Sequence, residues 1–299
     1  MSLPKITIVT PSYNQAQFLE ETILSVLDQG YPNLEYMIVD GGSTDGSVEI
    51  IRKYEKHLTW WVSEKDRGQA HAINKGLERA TGDVFAWLCS DDLYEPGVLQ
   101  LAARELSDGG PPLIYGRTQY IQSDGTPAFE TPFEKASGML ALLRGNFIPQ
   151  PSCFARMDVC RQAGPLREDL NYVFDYAWWL RMAELGYEFK AVDKVLSRYR
   201  LHSASKTCMY RSRFDAEFAG VALEYLARHP GRRARRAVAQ CFRRFSFENY
   251  AWSGDLRAAL YWFVRMLRVD PFACDVRAVK IAVKAVLRIP PPAPTPVTN

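Results

Sequence analysis

Leu34–Gly46, LEYMIVDGGSTDG, sets the pattern for most of the chain. A seven-residue apolar run ending in Asp40 reads as a strand, and Gly41 to Gly46 carry turn chemistry. Upstream, Lys5–Thr10 (KITIVT) is a β-branched strand broken by Pro11-Ser12-Tyr13-Asn14. Phe18, Leu19, Ile23, Val26 and Leu27 then recur at helical spacing, and Gly30 and Pro32 end that helix. Downstream comes a helix through Val48, Ile51 and Tyr54, and a strand over Leu58–Val62 follows. Gly68–Ala80 reads as a helix, Val84–Leu88 as a buried strand ending at Cys89-Ser90-Asp91-Asp92, and Pro96–Leu106 as a helix with Pro in its first turn. Strand and helix alternate with short connections, which predicts a mostly parallel sheet covered on both faces.

The rhythm changes after residue 110. Ile114–Gln122 reads as strand with a turn at Ser123-Asp124-Gly125, and Met139–Leu143, Met157–Ala163 and Tyr176–Leu185 read as helices. Phe189–Val192 and Val195–Leu201 read as two short strands. From Arg213 the pattern is helical, broken at His229-Pro230-Gly231 and Asp270-Pro271. The expected organisation is a catalytic domain over 1–212, a helical region over 213–288 and a Pro-rich, disordered tail over 289–299. Within the first, the halves are 1–110 and 111–212.

Composition excludes several classes. At 47% hydrophobic and 24% charged residues the chain is globular, without a 20–50-residue repeat. No basic region and apolar core mark a secretory signal, and no apolar stretch is long enough to span a bilayer. The six cysteines are scattered without metal-site spacing and read as free thiols of a reducing cytoplasm. From Arg228 onward 14 basic residues face 4 acidic ones, so the preceding 227 residues carry a net −7 against the whole chain's +3. An acidic body with a basic tail predicts contact with an anionic surface. Arg232, Arg233, Arg235, Arg236, Arg243 and Arg244 alternate with Phe242, Phe245, Trp252, Tyr261, Trp262 and Phe263, which suits either an interfacial helix or a subdomain with buried aromatics.

Ligands of an open parallel sheet bind beyond the carboxyl ends of its strands. Three polar clusters are expected on that edge: Pro11-Ser12-Tyr13-Asn14, Asp40-Gly41-Gly42 and Ser90-Asp91-Asp92. No dinucleotide or P-loop glycine signature is present. Adjacent carboxylates repel unless a cation or hydrogen bonds offset them, so Asp91-Asp92 suits a hard divalent ion with bound phosphates. Asp175 opens an amphipathic helix, as a cap or as a general base. His202, just past a strand, could complete a Mn²⁺ or Mg²⁺ shell.

In order along residues 5–207, the motifs resemble those of the family 2 inverting glycosyltransferases. Ile6–Asn14 resembles the opening strand with its P-[ST]-Y-N loop, and Val39–Ser47 resembles V-D-[DG]-G-S-T-D-G-[ST]. Asp66–Gln69 through Asn74-Lys75-Gly76 resembles D-x-G…A-x-N-x-G, and Leu88–Asp92 resembles the D-x-D-type motif. Phe174-Asp175-Tyr176…Trp179-Leu180-Arg181 and Tyr199–Ser205 resemble the base-bearing E-D-Y-x-L-W-L-R segment and the late Y-R-x-H-x-x-S loop. The resemblance implies a GT-A fold: a Rossmann-like mixed, mostly parallel α/β sheet flanked by helices, here with a C-terminal helical appendage. By position it places Tyr13 and Asp40 along the nucleobase pocket, Pro11 and Asn14 around it, Arg67 at its rim and Asp91 at the ribose. It gives Asp92 and His202 to a Mn²⁺ or Mg²⁺ ion and makes Asp175 the base. Phe174 departs from the family's usual Glu, and His71 from a position that is often acidic.

The implied activity transfers a sugar from a nucleoside-diphosphate sugar, expected to be a UDP-sugar, to a hydroxyl of a saccharide or lipid-linked saccharide, with inversion. Bacterial surface-polysaccharide assembly is the expected setting, in the cytoplasm or peripheral on the inner face of the plasma membrane, and no nucleic-acid partner is expected. A nucleotidyltransferase is the alternative enzyme, although its basic Gly-rich signature is missing near the first strand. A non-catalytic membrane scaffold is the alternative outside enzymes, and it leaves Asp40, Asp92, Asp175 and His202 unexplained.

Overall fold

The computed structural model describes residues 3–107, 109–203, 205–206 and 211–291. The chain forms two compact units, Met1–Gly138 with Phe147–Met209, and Met139–Asn146 with Tyr210–Asn299. The Pro-rich tail expected past Ile289 lies outside the described residues beyond Pro291.

The first unit begins with β1 (Ile6–Ser12), α1 (Ala16–Leu27), β2 (Leu34–Asp40), α2 (Ser47–Tyr54), β3 (Trp60–Ser63), α3 (Gln69–Arg79) and β4 (Val84–Trp87). It continues with β5 (Leu93–Tyr94), α4 (Val98–Glu105), β6 (Leu113–Ile121) and β7 (Pro127–Glu130). After α5 (Met139–Arg144), which belongs to the second unit, come β8 (Cys153–Arg156), α6 (Met157–Ala163), α7 (Phe174–Glu184) and β9 (Lys190–Arg200). The sheet runs β3-β2-β1-β4-β8-β6-β9-β5, with β7 paired to β6. The first four strands are parallel; β8 runs antiparallel to both β4 and β6. The mixed α/β sheet flanked by helices is the one expected, with the antiparallel β8 inside the sheet between β4 and β6.

All seven residues of β1 are buried, as a central strand with both faces covered requires. Ile8 joins Leu19 and Ile23 of α1 and Leu99 of α4 in one apolar cluster. Val9 points to the other face, where a side chain on Gly76 of α3 would meet its Cγ2 at 2.5 Å. Only glycine lets α3 approach β1 so closely. α7 covers the same face, with Trp178 against Phe85 and Trp87 at 6.1 and 5.6 Å between ring centres.

Four strands differ from expectation. The segment read as two short strands is one, β9, whose register against β6 shifts between Tyr115 and Thr118. The polar Asp193-Lys194 therefore marks an irregularity within a strand. β5, β7 and β8 were not foreseen; β7 pairs with β6 across the turn at Ser123-Asp124-Gly125, while β5 and β8 take their identity from distant partners, β9 for the one and β4 and β6 for the other.

The second unit contains α5, α8 (Arg211–Arg228), α9 (Arg232–Ala251), α10 (Leu256–Val269) and α11 (Val276–Val286). Its core is aromatic: Phe242 and Phe245 lie 5.3 and 5.1 Å from Trp262, and Phe218 edges Phe245 at 5.6 Å. Of the aromatics that alternate with the arginines, Phe242, Phe245 and Trp262 are buried in this core, Phe263 is half-buried, and Trp252 and Tyr261 are 70% and 53% exposed. α10 and α11 are each capped by an aspartate, Asp255 accepting from Ala258 N and Asp275 from Ala278 N. No helix among the described residues is long and apolar enough to cross a membrane.

Candidate active site

The sheet register brings Ser12, Asp40 and Ser63 side by side at the carboxyl edge of β1, β2 and β3. Asp40 is fully buried and its carboxylate serves its own loop. Oδ2 accepts from Gly42 N (3.1 Å), Ser43 N (2.8 Å) and Ser63 Oγ (2.7 Å), and Oδ1 accepts from Ser43 Oγ (2.5 Å). A contact with a nucleobase would need one of these bonds to be exchanged. Tyr13, by contrast, is 63% exposed. A side chain at Gly41 would collide with Asp66 Oδ2 at 2.7 Å and press on the Tyr13 ring at 3.3 Å, so backbone, ring and carboxylate meet there with no space for a Cβ.

Asn14 joins the first two loops. Its backbone N donates to Ser43 Oγ (2.8 Å) and its Oδ1 accepts from Thr44 N (2.9 Å), while φ is +50°. Asparagine tolerates that left-handed conformation better than most residues. α1 has no cap from its own N-cap residue, and Asp45 of the second loop accepts from Ala16 N instead (2.9 Å). Pro11 is buried at the β1 end opposite Val39.

Arg67 extends from the loop before α3 and pairs with Glu168 at 2.6 Å. Its backbone N donates to His71 Nδ1 (3.1 Å). Asn74 pins the same region, exchanging bonds with the Leu166 backbone (2.8 and 3.0 Å) and donating to Glu168 Oε1 (3.2 Å). Lys206 closes a polar recess beside them, donating to Gln69 Oε1 (3.2 Å) and the Asn171 carbonyl (3.1 Å).

The acidic loop follows β4. Asp92 is 1% exposed, and its Oδ1 accepts from Arg200 N (3.0 Å). Its Oδ2 is buried with no hydrogen-bond partner among the described residues. Burial first, then the Asp91 charge, push its carboxyl well above the usual range, and the Arg200 amide and charge offset part of this. The His202 ring faces Asp91, Nε2 to Oδ2 at 2.9 Å, and packs on Phe18 at 4.9 Å. The sequence-based assignment paired His202 with Asp92 and gave Asp91 to the ribose. The structure instead brings His202 and Asp91 together, because Asp92 turns inward to the β9 backbone.

Cys89, Asp91 and Asp92 offer ligand atoms within 4.8 Å of one another. Burial, then the charges of Asp92 and Asp91, drive the Cys89 thiol far above its ordinary range; Asp175 adds to this and Lys206 opposes it. The sulfur accepts from Gln69 Nε2 at 3.1 Å and its thiol approaches Gln150 Oε1 at 3.5 Å. The two carboxylates are hard oxygen ligands of the kind Mn²⁺ or Mg²⁺ takes, and His202 meets this cluster through Asp91.

Sequence reasoning missed Arg200, which holds this loop. It is 2% exposed; Nε donates to the Asp91 carbonyl (3.1 Å), one terminal nitrogen to the Ser123 carbonyl (3.0 Å) and the other to Glu21 Oε2 (2.5 Å). Its guanidinium also lies over Phe18 at 4.8 Å. The available signal was an arginine at an inward strand position two residues before His202. Asp175 is the second residue of α7, after an N-cap at Val173, and its Oδ1 accepts from Tyr176 N (2.6 Å). It is therefore a first-turn acid, favoured by the helix dipole, rather than the cap.

The sequence pattern of glycosyl transferase family 2 matches residues 7–163. The chain belongs to this family. It is 32% identical over 207 residues to the "Putative teichuronic acid biosynthesis glycosyltransferase TuaG" of Bacillus subtilis, covering 66% of this chain and 79% of that one. Among solved structures it resembles S. aureus TarS 1-349 in complex with UDP-GlcNAc, at TM-score 0.66, 16% identity, and coverage of 95% of this chain and 88% of that one. Of a longer TarS chain it spans 53%. It also resembles the mannosyltransferase PcManGT from Pyrobaculum calidifontis in complex with GDP-Man and Mn²⁺, at TM-score 0.63, 17% identity, and coverage of 96% and 81%. The family 2 chain is a glycosyltransferase of GT-A fold, and the nucleotidyltransferase and scaffold readings fall with that assignment.

Proposed function

We propose that the first unit is an inverting transferase moving a sugar from a UDP-sugar to a hydroxyl of a saccharide or lipid-linked saccharide in bacterial cell-envelope polysaccharide assembly. The observation that carries this is the buried Asp92 oxygen, without a hydrogen-bond partner among the described residues, beside the Asp91–His202 pair, at the strand edge shared with the Tyr13 and Asp40 loops. The UDP-GlcNAc complex of the TarS neighbour and the teichuronic acid name of the TuaG relative support it.

In this reading Tyr13 offers a ring face to the base, Asn14, Pro11 and Asp40 hold that surface, and Arg67 stands at its rim. Asp91 and His202, with Asp92 behind them, would hold Mn²⁺ or Mg²⁺. The ion supplies positive charge to the departing diphosphate. Asp175 takes the proton of the acceptor hydroxyl as its oxygen attacks the anomeric carbon. The new C–O bond forms on the face opposite the breaking C–O(phosphate) bond. The proton ends on Asp175, UDP leaves, and the single displacement inverts the centre. The basic second unit is suited to place the enzyme on the cytoplasmic membrane face, where a lipid-linked acceptor resides.

Thermal unfolding with nucleoside diphosphates tests the donor assignment. UDP with Mn²⁺ should raise the midpoint, since a ligand at a hundredfold excess over its Kd stabilises by ~2.7 kcal/mol. The donor assignment fails if UDP, GDP and dTDP all leave the midpoint unchanged with metal present.

A further inference from the structure

α11 divides into three sectors. At about 100° per residue, Val276, Val279, Val283, Val286 and Leu287 span roughly 100° of its circumference. Arg277, Lys280 and Lys284 fill the next ~60°, and Ala278, Ile281, Ala282 and Ala285 lie opposite. The alanine-rich sector is buried, as a packed helix requires, but the valine sector is exposed: Val276 is 72% and Val286 62% accessible. With Leu260 and Phe263 of α10 and Ala282, the residues Val279, Val283, Val286 and Leu287 line an apolar groove of about 330 Å³. Phe272, in the turn joining these helices, is 75% exposed.

Charge selects the occupant. Residues 256–291 hold seven basic residues and two acidic ones. Both acids are engaged within the unit, Asp275 by Arg243 and by the cap of α11, and Asp270 by Arg236 at 3.6 Å and by Phe272 N at 3.0 Å. The cations flanking the groove are left without an acidic counterpart in this stretch. Pairing with a second copy would set like charges against each other. An apolar stripe bordered by lysine and arginine matches an anionic bilayer, in which valines enter the acyl boundary and cations meet headgroup phosphates.

We propose that the α10–α11 face, led by the Val276–Leu287 sector of α11, is a docking surface for anionic lipid. This rests on the reading that the enzyme works at a membrane and names the surface that makes the contact. Of the basic-aromatic set suggested by composition, Phe242, Phe245 and Trp262 are core, whereas Phe263 lines this groove.

The test is co-sedimentation of the full chain with vesicles of phosphatidylcholine alone or mixed with phosphatidylglycerol. The full chain should sediment with the anionic vesicles and not the neutral ones. Val283→Asp, the milder Val283→Ser, and Lys280→Glu with Lys284→Glu should each weaken binding at least tenfold with an unchanged unfolding midpoint. Undiminished binding by all three variants would overturn this surface while leaving membrane association standing. Absence of binding by the full chain would overturn both, leaving UDP binding as a separate measurement of the donor site. A dimer abolished by Val283→Ser, without vesicle binding, would make a second copy the occupant and overturn the lipid assignment.

Discussion

The acidic loop after β4 and the outer face of α11 both concentrate charge, but they dispose of it differently. Around Asp91 and Asp92 each charge is wired into the fold by Arg200, His202 and the β9 backbone. On α11 Lys280 and Lys284 are exposed beside exposed valines, with the Lys284 ammonium 5.9 Å from the Tyr250 ring. Buried charge must be neutralised or hydrogen-bonded, and the Asp92 oxygen without a partner among the described residues is what the proposed metal site rests on. Exposed charge costs little and constrains only the sign of its partner. Substitutions in the first region should therefore alter chemistry or stability, and those in the second should leave both nearly unchanged.

The largest effect is expected from Asp175→Asn. The amide keeps the size and helix position but cannot accept the acceptor proton. Turnover should fall by ~10²–10⁴-fold, the usual contribution of a positioned acid–base group. The Kd for UDP should stay within about twofold of the wild type if Asp175 acts as base alone. Near-normal turnover would move the base elsewhere and remove the main chemical distinction between the regions.

His202→Ala should follow. It deletes the imidazole 2.9 Å from Asp91 without touching the Asp92–β9 bond. UDP affinity measured with Mn²⁺ should drop by roughly 10–100-fold, the range for losing a group that supports a metal, and affinity without metal should hold. Equal losses with and without Mn²⁺ would mean that His202 shapes the loop rather than the ion's surroundings.

Arg200→Ala probes the wiring. It strips donors from the Asp91 and Ser123 carbonyls and removes the cation packed on Phe18. Glu21 is 60% exposed and will be solvated, so its lost ion pair counts for little. The part-buried carbonyls and the vacated volume should cost about 2–4 kcal/mol, read from denaturant unfolding. A cost under about 1 kcal/mol would show that the acidic loop does not depend on this clamp.

Arg200 also shows where the sequence stopped being legible. Its partner Glu21 is 179 residues away, and no local pattern announces such a pairing. β1, β2 and β4 were readable because a strand buried on both faces must be continuously apolar. β5, two residues long, and β8, four, carry too little sequence to show a period. Asp91, Asp92, Asp175 and His202 stood out as residue types in motifs. That His202 faces Asp91 depends on the turn of Asp92 toward β9, which only tertiary structure reveals. In the second unit, periodicity identified helices without identifying their faces, and Phe242, Phe245 and Trp262 proved to be core.

The smallest effect is expected two residues apart on one helix. Ile281 is 7% exposed and Val283 50%. Ile281→Ser exchanges buried hydrocarbon for a hydroxyl in the cluster with Tyr250 and Ala259, and should cost about 2–4 kcal/mol. Val283→Ser removes apolar surface that water already reaches, so its unfolding free energy should stay within about 0.5 kcal/mol of the wild type. Serine and valine differ little in helix propensity, which keeps backbone preference out of the comparison. If Val283→Ser costs as much as Ile281→Ser, the valine sector is core in solution, covered by protein. A near-zero cost shows that folding does not require this stripe, and the seven-residue repeat of Val276, Val279, Val283 and Val286 then has binding as its remaining use.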